Sequence, residues 1–167
     1  MTVDAARRQH YRLIQEHKAP RRMALADDVS LLWESETTID HQVAEMLWME
    51  EDPESRAAIK AGYAELTPRP DRPTCTVSVE VTDPAHIKTR LGFYAGLEQA
   101  FSLECGGTRV PAQVIGDHGT DEATTAVIYL AFPLPPAADL AGATLIVDHP
   151  RLQGRFPLPA AVASSPL

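Results

Sequence analysis

The sequence predicts an α+β fold, with N-terminal helices packed on a mostly antiparallel sheet of about five to six strands. Three observations carry that prediction. Apolar residues recur at helical spacing from Ile39 to Leu47, β-formers alternate strictly in residues 74–81, and a stretch with three prolines, residues 67–73, divides a helical part at 37–66 from a sheet part at 74–158. Helices first and strands later argue against a βαβ alternation.

The elements follow in order. Residues 4–18 alternate charge with Tyr11, Leu13 and Ile14, a short-helix pattern that Pro20 stops. Residues 22–33 read as two extended pieces about a turn at Asp27-Asp28, because aspartates favour turns. Residues 34–51 read as the best-specified helix. Thr37 or Thr38 is expected to cap it, Asp40 suits its positive end, and Ile39, Val43, Met46 and Leu47 form its core stripe. Asp52-Pro53 opens a second helix over 53–65. The run TCTVSVEV has the alternation of a half-buried strand, and Asp83-Pro84 opens a helix to about Leu91. Residues 100–104 and 108–115 flank Gly106-Gly107, a hairpin signal. TTAVIYLAF, residues 124–132, is the most strand-like run and is expected to be central; a short helix is expected near 136–141. ATLIVDHP gives another strand, residues 154–158 an edge strand on which Pro157 is tolerated, and residues 161–167 a frayed tail.

Length and composition fit one domain over residues 1–160, since 167 residues suffice for a sizeable core. The net charge of −8 argues against general nucleic-acid binding. Charge is uneven: residues 1–22 carry six basic residues, Arg7, Arg8, Arg12, Lys18, Arg21 and Arg22, against Asp4 and Glu16. This basic arm is expected to dock on the acidic remainder, with an anionic ligand as the alternative. Cys75 and Cys105 form no CxxC pair, so reduced thiols are expected. No signal-type or membrane-spanning apolar segment is evident, and the expectation is cytoplasmic.

The candidate chemistry gathers on the 34–51 helix. His41, Glu45 and Trp48 share the side opposite the apolar stripe, and His41 and Glu45 are one turn apart. An imidazole and a carboxylate so spaced can share a divalent metal ion, whether iron, zinc or manganese. Glu34 or His149 would add a further ligand, and Glu45 and His149 could act as acid–base groups. Trp48 would wall the site from water. The plainer alternative is an exposed His–Glu hydrogen bond. His149 is either rigidly presented between Asp148 and Pro150 or simply closes a turn. Glu34 and Glu36 could perturb each other's protonation if extended, or serve only as charges at a helix start. His118, in GDHGTDE, reads as a loop residue. No phosphate-binding glycine fingerprint or nucleophile elbow is present.

The ordered landmarks resemble the bacterial family known as domain of unknown function 3501. They are HYRLI at 10–14, KAPRRMAL, LLWE…T..HQVAEML…E, GYAELTP, TCTVSVEV, GLEQAFSLEC, TTAVIYLAF and VDHP. The helix motif, with Glu34, Thr38, Gln42, Glu45, Met46 and Glu50 in register, is the most specific part. The resemblance implies a redox or metal-linked role beside a rubrerythrin-like or iron–sulfur partner protein, and it supplies no activity. Relatives carry a histidine in the strand where this chain has Ile128, which would alter a site built on that histidine.

Three functional expectations follow. The first is a polar metal- or small-ligand pocket between the central helix and the sheet, serving a redox or biosynthetic partner. The second is a non-catalytic interaction module, a homodimer or partner subunit docked through Trp48 and Met49. The third is an enzyme acting on a small anionic metabolite held by Arg21 and Arg22.

Overall fold

Thr74–Val79 shows how the fold is built, because both faces of this strand are covered. Cys75, Val77 and Val79 turn one way and are fully or nearly buried, while Thr76 and Ser78 turn the other way and are half-buried. In the computed structural model, which describes residues 3–48, 50–117, 119–136 and 138–164, the first face meets a second sheet and the other meets helices.

In chain order the elements are α1 (Val3–Lys18), β1 (Arg22–Ala26), β2 (Val29–Trp33), α2 (Glu36–Trp48), α3 (Pro53–Ala64) and β3 (Thr74–Val79). There follow α4 (Ile87–Phe93), β4 (Phe101–Cys105), β5 (Thr108–Pro111), β6 (Gln113–Ile115), β7 (Val127–Ala131), β8 (Thr144–His149), β9 (Leu152–Pro157) and α5 (Ala160–Ala163). Sheet one has the order β1-β2-β3-β7-β6 and sheet two the order β5-β4-β8-β9, with every pair antiparallel. The α+β class holds.

The single sheet of five to six strands expected from the sequence is instead a sandwich of two sheets backed by helices. Alternation says that a strand buries one face; it does not say which strands share a sheet. Residues 108–115 make the point. Val110 and Ile115 are both buried, but the chain leaves sheet two at Pro111, turns at Ala112 and enters sheet one at Gln113.

Register sets what each face carries. Trp33 stands beside Cys75 and Cys75 beside Leu130, with Leu31, Val77 and Ile128 in the next row. These residues join Leu103, Leu145 and Val147 of sheet two in the main core, where Trp33 packs on Phe132 with ring centroids 5.6 Å apart. The opposite face carries Leu32, Thr76 and Tyr129 in one row and Ala131 in another. Ile39 of α2, Leu66 after α3, Ile115 and Ala131 close a second, smaller core there, with Val43, Tyr63 and Tyr129 packed against it.

Several local expectations change. β7 begins at Val127 and lies between β3 and β6, so β3 is the middle strand of sheet one. Among the described residues of 136–141 no helix forms; with Pro135 and Pro136 beside it, the segment is too short to repay nucleation. The tail is not frayed from residue 161, since Ala160–Ala163 is helical and Val162 is fully buried in the main core. Met46 leaves the expected core stripe and is 44 % exposed, whereas His41, placed opposite that stripe, is buried. The reason is α1, which packs on α2 and covers the side that carries His41.

Candidate functional site

Glu34 is the organising residue. It follows β2, its N–H donates to Thr74 O at 3.0 Å, and its side chain is fully buried. Strand alternation turns Trp33 into the sandwich core and Glu34 toward the helices. A carboxyl group without water must be compensated by donors. Thr76 Oγ1 donates to Oε1 at 2.6 Å, Gln42 Nε2 donates to the same oxygen at 3.2 Å, and Thr38 Oγ1 donates to Oε2. Two elements, β3 and α2 through its first two turns, therefore converge on one group.

The adjoining residue, Ser35, caps α2. Thr38 N donates to Ser35 Oγ at 3.2 Å, and Ser35 N donates to Thr38 Oγ1 at 2.9 Å. This is a reciprocal capping box with Thr in the third position. The expectation that Thr37 or Thr38 is the cap is thereby corrected by two residues or more: the helix starts at Glu36, and Thr37 is exposed. His17 of α1 reaches the same hydroxyl, Nε2 to Oγ 2.8 Å. Burial and then the Arg21 charge lower the pKa of His17, so its ring is kept neutral near pH 7.

Farther along the α1–α2 seam, His10 Nε2 stands 3.2 Å from His41 Nδ1, with ring centroids 5.2 Å apart. His10 is exposed and His41 buried. Burial and then the Lys18 charge lower the pKa of His41; Glu45 pulls the other way, and His10 adds to the lowering. Two facing imidazoles can share one proton between their nitrogens, or present both nitrogens to a third body.

The remaining candidates from the sequence scatter. His149 is buried at the end of β8, in sheet two, and both of its ring nitrogens are engaged. Arg151 N donates to Nδ1 at 3.1 Å, which leaves Nε2 to donate to Ala95 O at 3.0 Å. It closes the β8–β9 turn, the plainer of the two roles foreseen for it. Trp48 ends α2 at 66 % exposure. Arg22 is exposed, while Arg21 is buried and its Nη1 has no hydrogen-bond partner among the described residues, so the two do not make a common clamp. Glu36 is exposed and Glu34 buried, which separates that pair as well. Met49 and His118 lie outside the described residues. Ile128 faces the sandwich core, away from Glu34, so that position is not part of the helix-facing network. Cys75 lies in the same core. Burial, and secondarily Glu34, push its thiol well above the ordinary range, which makes it inert. Among the described residues, no three His, Cys, Asp or Glu side chains gather as a set that could hold a metal ion.

Sequence reasoning missed His10, His17 and Ser35 as members of the seam, and Thr76 as a partner of Glu34. His10 stood in a landmark motif, but nothing in sequence signals a pairing across 31 positions.

The family model of a protein of unknown function, DUF3501, matches residues 2–166. The chain belongs to the DUF3501 family. A crystal structure described as a novel protein of unknown function from Burkholderia pseudomallei K96243 is similar over 99 % of this chain and 93 % of that one, with a TM-score of 0.81 and 26 % identity. A comparison with curated proteins gives no match. For this DUF3501 member the resemblance seen in the sequence is thus established across the fold, and function must be argued from the seam.

Proposed function

We propose that the α1–α2 seam of this DUF3501 protein binds a divalent transition-metal ion through His10 and His41. The observation that carries the reading is the 3.2 Å between the facing nitrogens. Two nitrogens each about 2.0–2.1 Å from a tetrahedral ion lie roughly 3.3 Å apart, so both can ligate with little movement. Metals take the neutral imidazole, and the lowered pKa of His41 favours that form. A pair of imidazoles suits zinc or iron better than manganese. Glu45, one turn beyond His41, would assist through its charge rather than as a third ligand.

Two protein ligands leave positions for water or a small ligand, so the ion is exchangeable and open to chemistry. Behind it, the Glu34 network fixes the start of α2 and hence the position of His41.

The test is elemental analysis of protein purified without an affinity tag, together with calorimetric titration of chelator-stripped protein with zinc and cobalt. One equivalent should bind, and both His10→Ala and His41→Ala should abolish it, with Glu45→Gln weakening it. Metal content that is unchanged in the two histidine variants would overturn the proposal.

A further inference from the structure

A cavity of about 370 Å³ opens between α3 and strands β6 and β7, at the low end of the roughly 300–1,000 Å³ typical of small-molecule sites. Its helical wall comes from Ala58, Ile59, Gly62 and Tyr63, which the helical repeat places on one face of α3. A helix covering a sheet ordinarily fills that face with large apolar residues. Here two of the four are Ala and Gly. Gly62 lies in the interior of α3, where glycine weakens a helix. Its backbone does not call for glycine, since it has no positive φ, and a Cβ built there meets no atom within 4 Å. Close packing does not require it either. What the missing side chain does is leave the space open.

The polar lining points the same way. Tyr63 from α3 and Tyr129 from β7 both border the cavity half-buried, and neither hydroxyl has a hydrogen-bond partner among the described residues. Burial, then Tyr63 and Glu34, raise the pKa of Tyr129, so its hydroxyl keeps its proton and can donate. Asp117 is the charged residue of the lining, and among the described residues no Lys, Arg or His borders the cavity. A negatively charged guest would therefore meet a carboxylate and, among the described residues, no countercharge.

We infer that this cavity binds a small, flat, ring-bearing molecule without negative charge, packed between Gly62 and the apolar sheet face and hydrogen-bonded to the Tyr63 and Tyr129 hydroxyls. This inference is independent of the metal reading, because it uses a different helix and none of the histidines.

The experiment is titration of the isotope-labelled full chain with 2-naphthol and, separately, with 2-naphthoate, which has the same ring system and a negative charge. 2-Naphthol should bind saturably, with amide shifts centred on Gly62, Ile115 and Gly116, and 2-naphthoate should bind at least about tenfold more weakly. Gly62→Leu fills the cavity and should cut 2-naphthol affinity at least about tenfold while leaving the melting temperature equal or higher. Tyr63→Phe with Tyr129→Phe should lose about fivefold or more without unfolding, which separates ligand recognition from a packing effect. The inference fails if 2-naphthol does not saturate, if 2-naphthoate binds equally well, or if binding survives in Gly62→Leu and in the tyrosine double variant.

Discussion

At the scale of single residues, the seam makes stability depend on histidine protonation. His17 and His41 both have pKa values below the ordinary 6.5, chiefly through burial. The unfolded chain keeps the ordinary value. Between 6.5 and the lower folded value, the unfolded state holds more protons, so stability rises with pH across that window and is level above it for these two groups. In buffer with chelator, the calorimetric melting temperature should fall as pH drops through 6.5. His17→Gln and His41→Gln should each flatten that fall, and the double variant should flatten it most. A double variant that keeps the wild-type slope would assign the effect elsewhere. His149 has no free nitrogen to offer a ligand, because one accepts from Arg151 N and the other donates to Ala95 O.

At the scale of elements, α2 shows what the sequence could and could not convey. Its existence, its breaking at Asp52-Pro53 and the burial of Ile39 were legible from spacing and from proline placement. Its cap was not, because Ser35, Thr37 and Thr38 are all capable and only the position of β2 decides among them. Ser35→Ala should cost about 1–2 kcal/mol in urea unfolding, whereas Thr37→Ala, at an exposed site, should stay within about 0.5 kcal/mol. Equal effects would contradict the capping assignment. The seam itself was half legible. His41 and Glu45 announce themselves one turn apart, but His10 and His17 join only because α1 packs on α2, a tertiary fact with no local signature. The splitting of residues 108–115 between two sheets was hidden for the same reason: each half alternates correctly, and the corner at Ala112 looks like any other strand residue.

At the scale of the whole molecule, one apolar core joins the sheets, since residues of β2, β3 and β7 pack in the same cluster as residues of β4 and β8. The sandwich is therefore expected to unfold as a unit. Leu103→Ala, at a fully buried position of sheet two, should lose about 2–5 kcal/mol. The near-ultraviolet signal of Trp33, in sheet one, should shift to the same urea midpoint as the backbone signal. Separate midpoints would show that the sheets melt independently. The strand orders also govern how this molecule meets its neighbours. Its four outer strands are β1, β6, β5 and β9. β1 starts at exposed Arg22 and has an irregular register between Ala24 and Ala26, and β6 is three residues long. β5 carries Arg109 and Pro111, and β9 carries Arg155 and Pro157. Charge, proline, brevity and irregularity are the devices that stop a foreign strand from extending a sheet. Recognition by strand addition is thereby discouraged on every rim, which leaves side chains and helix surfaces as the means by which another macromolecule engages this one, and keeps the chain from templating its own aggregation in a crowded solution.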